Sequence, residues 1–369
     1  MKFILVAGAR PNFIKISPII RELSARNKDQ RTNEIYWKIV HTGQHYDYEM
    51  SKIFFDELEI SIPDYFLNAG SGSQAEQTAK IMIEFEKVCH KEAPDLVVVV
   101  GDVNSTLACS IVAKKLQVKV AHIEAGLRSR DWSMPEETNR IVTDSISDFL
   151  FITEKSGYEN LKQEGKKDSE IFWVGNVMID TLYHYLNKII NTKPNSLPEK
   201  PYSVLTLHRP SNVDFKDKLK NIIEAIVEIS NDMPVLFPVH PRTKKNLETF
   251  NLNGLINNSN IKLLPPLPYM KFLSLWKEAN LVLTDSGGIQ EETTALGIPC
   301  FTIRENTERP ITVEEGTNTV VGTTKDRILS AYSIFKNGKT KHGKIPKFWD
   351  GKTAKKIIDI LIEHFEQKE

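Results

Sequence analysis

Short, wholly apolar runs recur along this chain, each followed by an amphipathic helical stretch. The plainest is Leu96-Val97-Val98-Val99-Val100. A strand with one wet face alternates apolar and polar residues, whereas one covered on both faces reads as a continuous apolar run. Such strands belong in parallel sheets with crossover helices above and below. The pattern predicts strands at Lys2–Ala7, Ile35–His41, Asp95–Gly101, Lys119–Ile123, Phe149–Thr153 and Ile171–Val174. It predicts six more at Ser203–His208, Val235–His240, Ile261–Leu264, Leu281–Thr284, Cys300–Ile303 and Thr319–Val321. Helical periodicity falls at 14–26, 74–91, 105–116, 136–147, 218–229, 289–296 and 353–367. The expected fold is α/β, two Rossmann-like domains facing a central cleft. The proline-rich stretch Thr192–Pro201 reads as a linker or loop.

A length of 369 residues suits more than one domain. Lys plus Arg and Asp plus Glu both total 48, so no bulk field draws nucleic acid or an anionic membrane. No apolar run is long enough to span a bilayer, and MKFILVAGARPNF is broken too soon for a signal peptide. The three cysteines, Cys89, Cys109 and Cys300, lack metal spacing and read as reduced core residues of a cytoplasmic protein.

Ligands of parallel α/β sheets bind beyond the carboxyl ends of strands. Six stretches there carry polar chemistry. In Gly8-Ala9-Arg10-Pro11-Asn12-Phe13-Ile14-Lys15, two cations stand near a helix start, already an anion site. A single glycine is not a dinucleotide fingerprint. Asp102 follows Leu96–Gly101; Asn104 or Ser105 can cap the next helix, leaving Asp102 for other work. Glu124 and Arg128 follow Lys119–Ile123, and His122 shares a strand face with Glu124, without an evident third metal ligand. Pro135-Glu136-Glu137 opens a helix, with Arg140 spaced for an ion pair with Glu136. Carboxylates gathered at one mouth raise one another's pKa, which suits proton transfer. His208, Arg209 and His240 end strands in the second half. Ser286, Gly287 and Gly288 offer backbone N–H groups to an anion, with Glu292 one turn on, placed for ribose hydroxyls. Arg309, in ENTERP, is a further candidate for the phosphate cage.

The ordered set HIEAGLRS, MPEETNR, TDSGGIQEE and ENTERP resembles the non-hydrolysing UDP-N-acetylglucosamine 2-epimerases, over nearly the whole chain. The resemblance implies the GT-B fold. It implies a domain of residues 1–175 carrying sugar-side acids, with helix 353–369 packed back on it, and a UDP-binding domain of residues 176–352. It implies catalytic roles for Asp102, Glu124, Glu136 and His208. It implies substrate binding by Arg10, Lys15, Ser286, Gly287, Gly288, Glu292 and Arg309. The implied reaction inverts C2 of UDP-N-acetylglucosamine through elimination of UDP, a 2-acetamidoglucal and re-addition, with no cofactor and no metal. Which carboxylate is base and which is acid stays open. A homodimer is implied, and a UDP-sugar substrate with no nucleic-acid or membrane partner. Asn12 stands where the family often has Glu, and Arg209-Pro210-Ser211-Asn212 departs from a more polar stretch. Gly43-Gln44-His45-Tyr46-Asp47-Tyr48-Glu49-Met50 departs from the stretch of members activated by a second substrate molecule. The alternatives are a 2-epimerase of UDP-2,3-diacetamido-2,3-dideoxyglucuronic acid, a hydrolysing epimerase, a GT-B glycosyltransferase and a non-catalytic UDP-sugar sensor.

Overall fold

The computed structural model describes residues 1–28, 34–43, 55–70, 72–189, 199–339 and 341–367. Most of Thr192–Pro201, and Gln44–Met50, lie outside the described residues. The chain divides into two compact units, Met1–Tyr183 with Lys347–Glu369, and His184–Pro346. The division falls inside a helix, Val177–Ile189, rather than before it.

The first unit holds strands β1 (Lys2–Ala7), β2 (Tyr36–His41), β3 (Tyr65–Phe66), β4 (Leu96–Val100), β5 (Lys119–Ile123), β6 (Phe149–Ile152) and β7 (Ile171–Trp173). They form one sheet in the order β3-β2-β1-β4-β5-β6-β7, every pairing parallel. β4 is buried at all five positions, as its unbroken apolar sequence requires. Helix Gln74–Glu92 starts on a Ser73–Glu76 capping box, and its Ile81, Phe85 and Val88 join the core under β1 and β4. The C-terminal helix Thr353–Glu366 packs on helix Arg10–Lys28 in this same unit. Its first two N–H groups, of Thr353 and Ala354, donate to the Asp180 carboxylate at 3.0 and 2.7 Å. Asp180 thereby serves the orphan donors of a helix start from another helix.

The second unit holds β8 (Ser203–Thr206), β9 (Val235–Pro238), β10 (Ile261–Leu264), β11 (Leu281–Thr284), β12 (Cys300–Thr302) and β13 (Asn318–Val320). Their order is β10-β9-β8-β11-β12-β13, again all parallel. Its core joins Leu205, Val235, Phe237, Leu281 and Leu283 to Ile222, Ile226 and Ile229 of helix Lys216–Asp232.

Both sheets have Rossmann-like order, and two such units in one chain are the make-up of the GT-B class. In each, strand order reverses once, between β1 and β4 and between β8 and β11. At such a switch point the crossovers leave in opposite directions, so the carboxyl ends of the two strands are open to a ligand. All three cysteines are buried free thiols, and no helix among the described residues is long and apolar enough to cross a membrane.

Candidate active site

The switch point of the first unit carries Lys15 and Asp102, with Glu124 at the end of the neighbouring β5. Gly101 donates its N–H to Ile123 O at 3.1 Å, tying the end of β4 to that of β5. Gly101 has φ +71°, which a side chain resists, and a Cβ there would stand 3.3 Å from Lys15 Nζ. The glycine thus lets the lysine lie across the strand end. Lys15 Nζ meets Glu124 Oε2 at 2.6 Å, with Glu124 only 3% exposed. Glu124 has φ +70°, an uncommon backbone state for a glutamate. Strain of this kind persists where surrounding bonds over-determine it. Here Glu124 and Ala125 both donate to Phe151 O at 3.1 Å.

Asp102 is held differently. Arg140 Nε and Nη2 both donate to its Oδ2, at 3.0 and 2.6 Å, and Arg140 Nη1 meets Glu137 Oε2 at 2.6 Å. Glu137 is in turn fixed by Ser129 N–H, Ser129 O–H and Arg130 N–H, at 3.0, 2.9 and 2.8 Å. Burial raises the Glu137 carboxyl, but these donors outweigh it and hold the group below its ordinary value. The Glu136–Arg140 ion pair expected from spacing is therefore replaced: Arg140 takes Asp102 and Glu137. Nor is the next helix capped as expected. It starts after Val103 without a side-chain cap, Asn104 reaches Gln74 and Gln77 instead, and Asp102 is bound to Arg140. Glu136 stands half-buried in the first turn of helix Pro135–Ile146. Arg10 opens helix Arg10–Lys28, and its side chain lies outside the described residues.

Two further groups stand beneath this edge. His122, fully buried, places Nδ1 2.6 Å from Asp144 Oδ1 and Nε2 2.8 Å from Gly101 O, so it braces the β4–β5 edge rather than pairing with Glu124 for a metal. Arg128 meets Asp144 Oδ2 at 2.7 Å and Glu164 at 2.6 Å. Asn12 is buried, accepting from Ala9 N–H at 3.0 Å and donating to Val100 O at 3.1 Å. An amide can do both; an ionised glutamate can only accept, which accounts for Asn at this position.

The switch point of the second unit carries His208, Arg209, Asp285 and the Ser286-Gly287-Gly288 turn. Thr206 and Thr284 pair across β8 and β11, their hydroxyls 2.7 Å apart. Past them lies Asp285, completely buried. It accepts from the N–H groups of His208 and Arg209, at 3.1 and 2.9 Å, and faces His208 Nδ1 at 3.0 Å. Burial raises the Asp285 carboxyl, but His208 and the two backbone donors prevail and keep it below its ordinary range. A carboxylate on Nδ1 fixes the ring's orientation and leaves Nε2 as its outward nitrogen. His240 follows β9 with its ring centroid 6.0 Å from that of His208, but its Nδ1 accepts from Arg242 N–H as a helix cap.

Ser286 precedes helix Gly287–Leu296, and its N–H donates to Thr284 Oγ1 at 2.9 Å. The open donors of the turn are then those of the first helical turn. Glu292 is buried and accepts from the Tyr269 hydroxyl at 2.6 Å. Burial pushes its carboxyl up to about 8. Arg309 Nε meets Glu291 Oε1 at 2.8 Å. Arg209 Nη2 and Arg304 Nη1 meet the two oxygens of Glu308, at 3.0 and 2.6 Å. Burial alone raises Glu308, yet Arg304, Arg309 and Arg209 bring its carboxyl down to about 2.

Sequence reasoning passed over Arg140 as a mere helix partner, and did not single out Asp285, Glu291, Glu308 or Tyr269. Asp285 had a signal, a carboxylate ending an apolar strand as Asp102 does. Tyr269 had none, because its partner is 23 residues away. Among the described residues no group of three or more His, Cys, Asp or Glu side chains is arranged to hold a metal ion. Chemically, the first unit presents two anchored carboxylates fit for proton transfer. The second presents a carboxylate-oriented histidine and anchored arginines around a helix N-terminus, fit for an anion.

The family described as UDP-N-acetylglucosamine 2-epimerase matches residues 27–362. The UDP-N-acetylglucosamine 2-epimerase of Methanocaldococcus jannaschii is 48% identical, over 98% of this chain and 99% of that one. A crystal structure of that enzyme in complex with UDP-GlcNAc and UDP aligns with a TM-score of 0.87 at 48% identity, over the same 98% and 99%. The UDP-2,3-diacetamido-2,3-dideoxy-D-glucuronate 2-epimerase of Pseudomonas aeruginosa is 40% identical, over 98% of this chain and 99% of that one.

Proposed function

The chain belongs to the UDP-N-acetylglucosamine 2-epimerase family, and from that membership we propose that it interconverts UDP-N-acetylglucosamine and UDP-N-acetylmannosamine without hydrolysis. The observation that carries the reading is the pair of carboxylates, Asp102 and Glu124, ending adjacent strands and each anchored by its own cation. Inversion at C2 requires removal of a weakly acidic proton from one face and its return to the other. Two carboxylates suit the two tasks. Proton removal breaks C2–H, and its electron pair forms a C1–C2 double bond as the C1–O bond to UDP breaks. The products are a 2-acetamidoglucal and UDP; the reverse steps, with the proton delivered to the other face, give the epimer.

The second unit supplies what the leaving group needs. Negative charge grows on the departing diphosphate, and preorganised donors stabilise it best. The first turn of helix Gly287–Leu296, with Arg309 and His208, is assigned to that charge, and Glu292 to the ribose. Asp285 keeps His208 oriented for the departing oxygen. Lys15 and Arg140 are assigned to holding the carboxylates on the sugar side.

The test is proton NMR of the protein with UDP-N-acetylglucosamine in D2O. Deuterium at C2 of both epimers, with UDP retained, is the expected result. Free UDP with N-acetylmannosamine indicates hydrolysis instead. A second reading, motivated by the 40% identity to the Pseudomonas enzyme, is epimerisation of the diacetamido glucuronic acid nucleotide. The same experiment with that sugar decides between them; exchange with neither removes the elimination mechanism.

A further inference from the structure

Gly287 does not have the positive φ that would require a glycine. Its constraint is space. A Cβ built on it would stand 2.9 Å from Glu308 Oε1, with no other side chain as near. The first glycine of the Ser286-Gly287-Gly288 turn is therefore open on a face that a carboxylate already occupies. That carboxylate is nearly buried, at 8% exposure, and each of its oxygens holds a different arginine. Arg209 follows β8 and Arg304 follows β12, so Glu308 draws together cations from two strand ends. Arg209 is also held from behind, its Nε donating to Asp285 O at 2.9 Å.

We propose that Glu308 is a positioning residue for substrate binding: seated against Gly287, it gathers Arg209 and Arg304 beside the N-terminus of helix Gly287–Leu296, where the diphosphate of the substrate is to bind. The inference rests on the proposed nucleotide-binding role of the second unit. A long arginine side chain loses rotamer freedom when it binds an anion. Fixing two of them beforehand removes part of that loss and concentrates positive charge where the helix dipole already favours an anion. The cost is a buried anion near the site, and Glu308 offsets it by facing two guanidinium groups. On this view Gly287 leaves clear the space that the Glu308 carboxylate occupies, and the two positions act through one route.

Calorimetric titration with UDP, together with steady-state kinetics, tests this on the full chain. The variants are E308Q, E308A, G287A and G287A/E308A. E308Q is expected to weaken UDP about tenfold or more and to raise KM by a similar factor, with kcat within about twofold of the parent protein. G287A, which keeps every charge but displaces the carboxylate, is expected to do the same. The double variant is expected to be no worse than E308A, because the clash is gone and the route is already cut. UDP bound by E308Q as tightly as by the parent protein overturns the proposal, as do additive losses in the double variant. Should E308Q not fold, G287A carries the test alone, and undiminished UDP binding there overturns it. A parent protein that binds no UDP overturns the nucleotide-site reading, and this proposal with it.

Discussion

The two units have the same sheet order and place their polar groups at the same kind of strand reversal, yet they anchor charge with opposite sign. In the first, the groups at the strand ends are carboxylates, Asp102 and Glu124. Their cations, Arg140 and Lys15, come from helices. In the second, the cations that follow strands are His208, Arg209 and Arg304, and carboxylates hold them: Asp285, itself just past β11, for His208, and Glu308 for both arginines. Proton transfer needs a carboxylate whose position is fixed, and departure of an anion needs cations whose position is fixed. In the proposed elimination, one architecture serves both halves by exchanging which sign does the work and which sign braces it.

The largest expected effect breaks the first half of that comparison. E124Q and D102N keep side-chain shape and remove a charge. Each is expected to lower kcat by about 10²–10⁴-fold, with UDP affinity close to that of the parent protein because the nucleotide groups are untouched. Deuterium exchange at C2, beside calorimetry with UDP, separates the two quantities. Equal losses of UDP affinity and of exchange would mean that the acids serve binding rather than proton transfer.

The braces come next. D285N leaves His208 without its carboxylate, and misorientation of a reacting group costs on the order of 10²-fold. The expected loss is in kcat, larger than any change in UDP affinity. A loss of UDP affinity as large as the loss of kcat would mean that Asp285 serves binding rather than the orientation of His208. In the first unit, R140K removes the two-point bond to Asp102 while keeping a cation. It is expected to lower kcat about tenfold, since lysine cannot reproduce the guanidinium fork. An unchanged kcat in R140K would show that charge alone, and not orientation, is what Asp102 requires.

How far these anchors could be read in advance varied with what held them. Strands buried on both faces announced themselves through unbroken apolar runs, as at Leu96–Val100, and the residues just beyond were legible because chain order alone puts them at the strand end. Two-residue β3 (Tyr65–Phe66) was not, being too short to carry a period. Helices such as Lys155–Gln163 and Lys325–Lys336 carry thin apolar stripes with few buried positions, so periodicity does not mark them. Among the candidate site residues, the strand-end positions of Asp102, Glu124 and His208 were legible from chain order. Their braces were not, since Arg140 lies 38 residues from Asp102 and Asp285 lies 77 from His208. Arg140 shows the limit most sharply: helix spacing offered it Glu136, while tertiary structure gave it Glu137 and Asp102.

The finest test lies within the second unit, where two buried glutamates titrate in opposite directions. The Glu308 carboxyl is down at about 2 from an ordinary 4.5, because three arginines outweigh its burial. Its stabilising contribution is complete above about pH 4.5 and is lost as pH falls toward 2. Glu292 has the Tyr269 hydroxyl and no cation in its immediate bonding, and burial takes its carboxyl up to about 8. Between about pH 4.5 and 8 the unfolded chain has released that proton while the folded one retains it. Stability must then fall as pH rises through this window, by at most about 1.4 kcal/mol per pH unit. E292Q removes the titration, so its stability should decline less than that of the parent protein between pH 5 and 8. E308Q should differ from the parent protein in pH dependence only on the acid side. Chemical denaturation at a series of pH values, taken as the difference between each variant and the parent protein, reads both. Parallel curves for E292Q across pH 5 to 8 would mean that Glu292 is already ionised, and that a cation or solvent reaches it as the arginines reach Glu308.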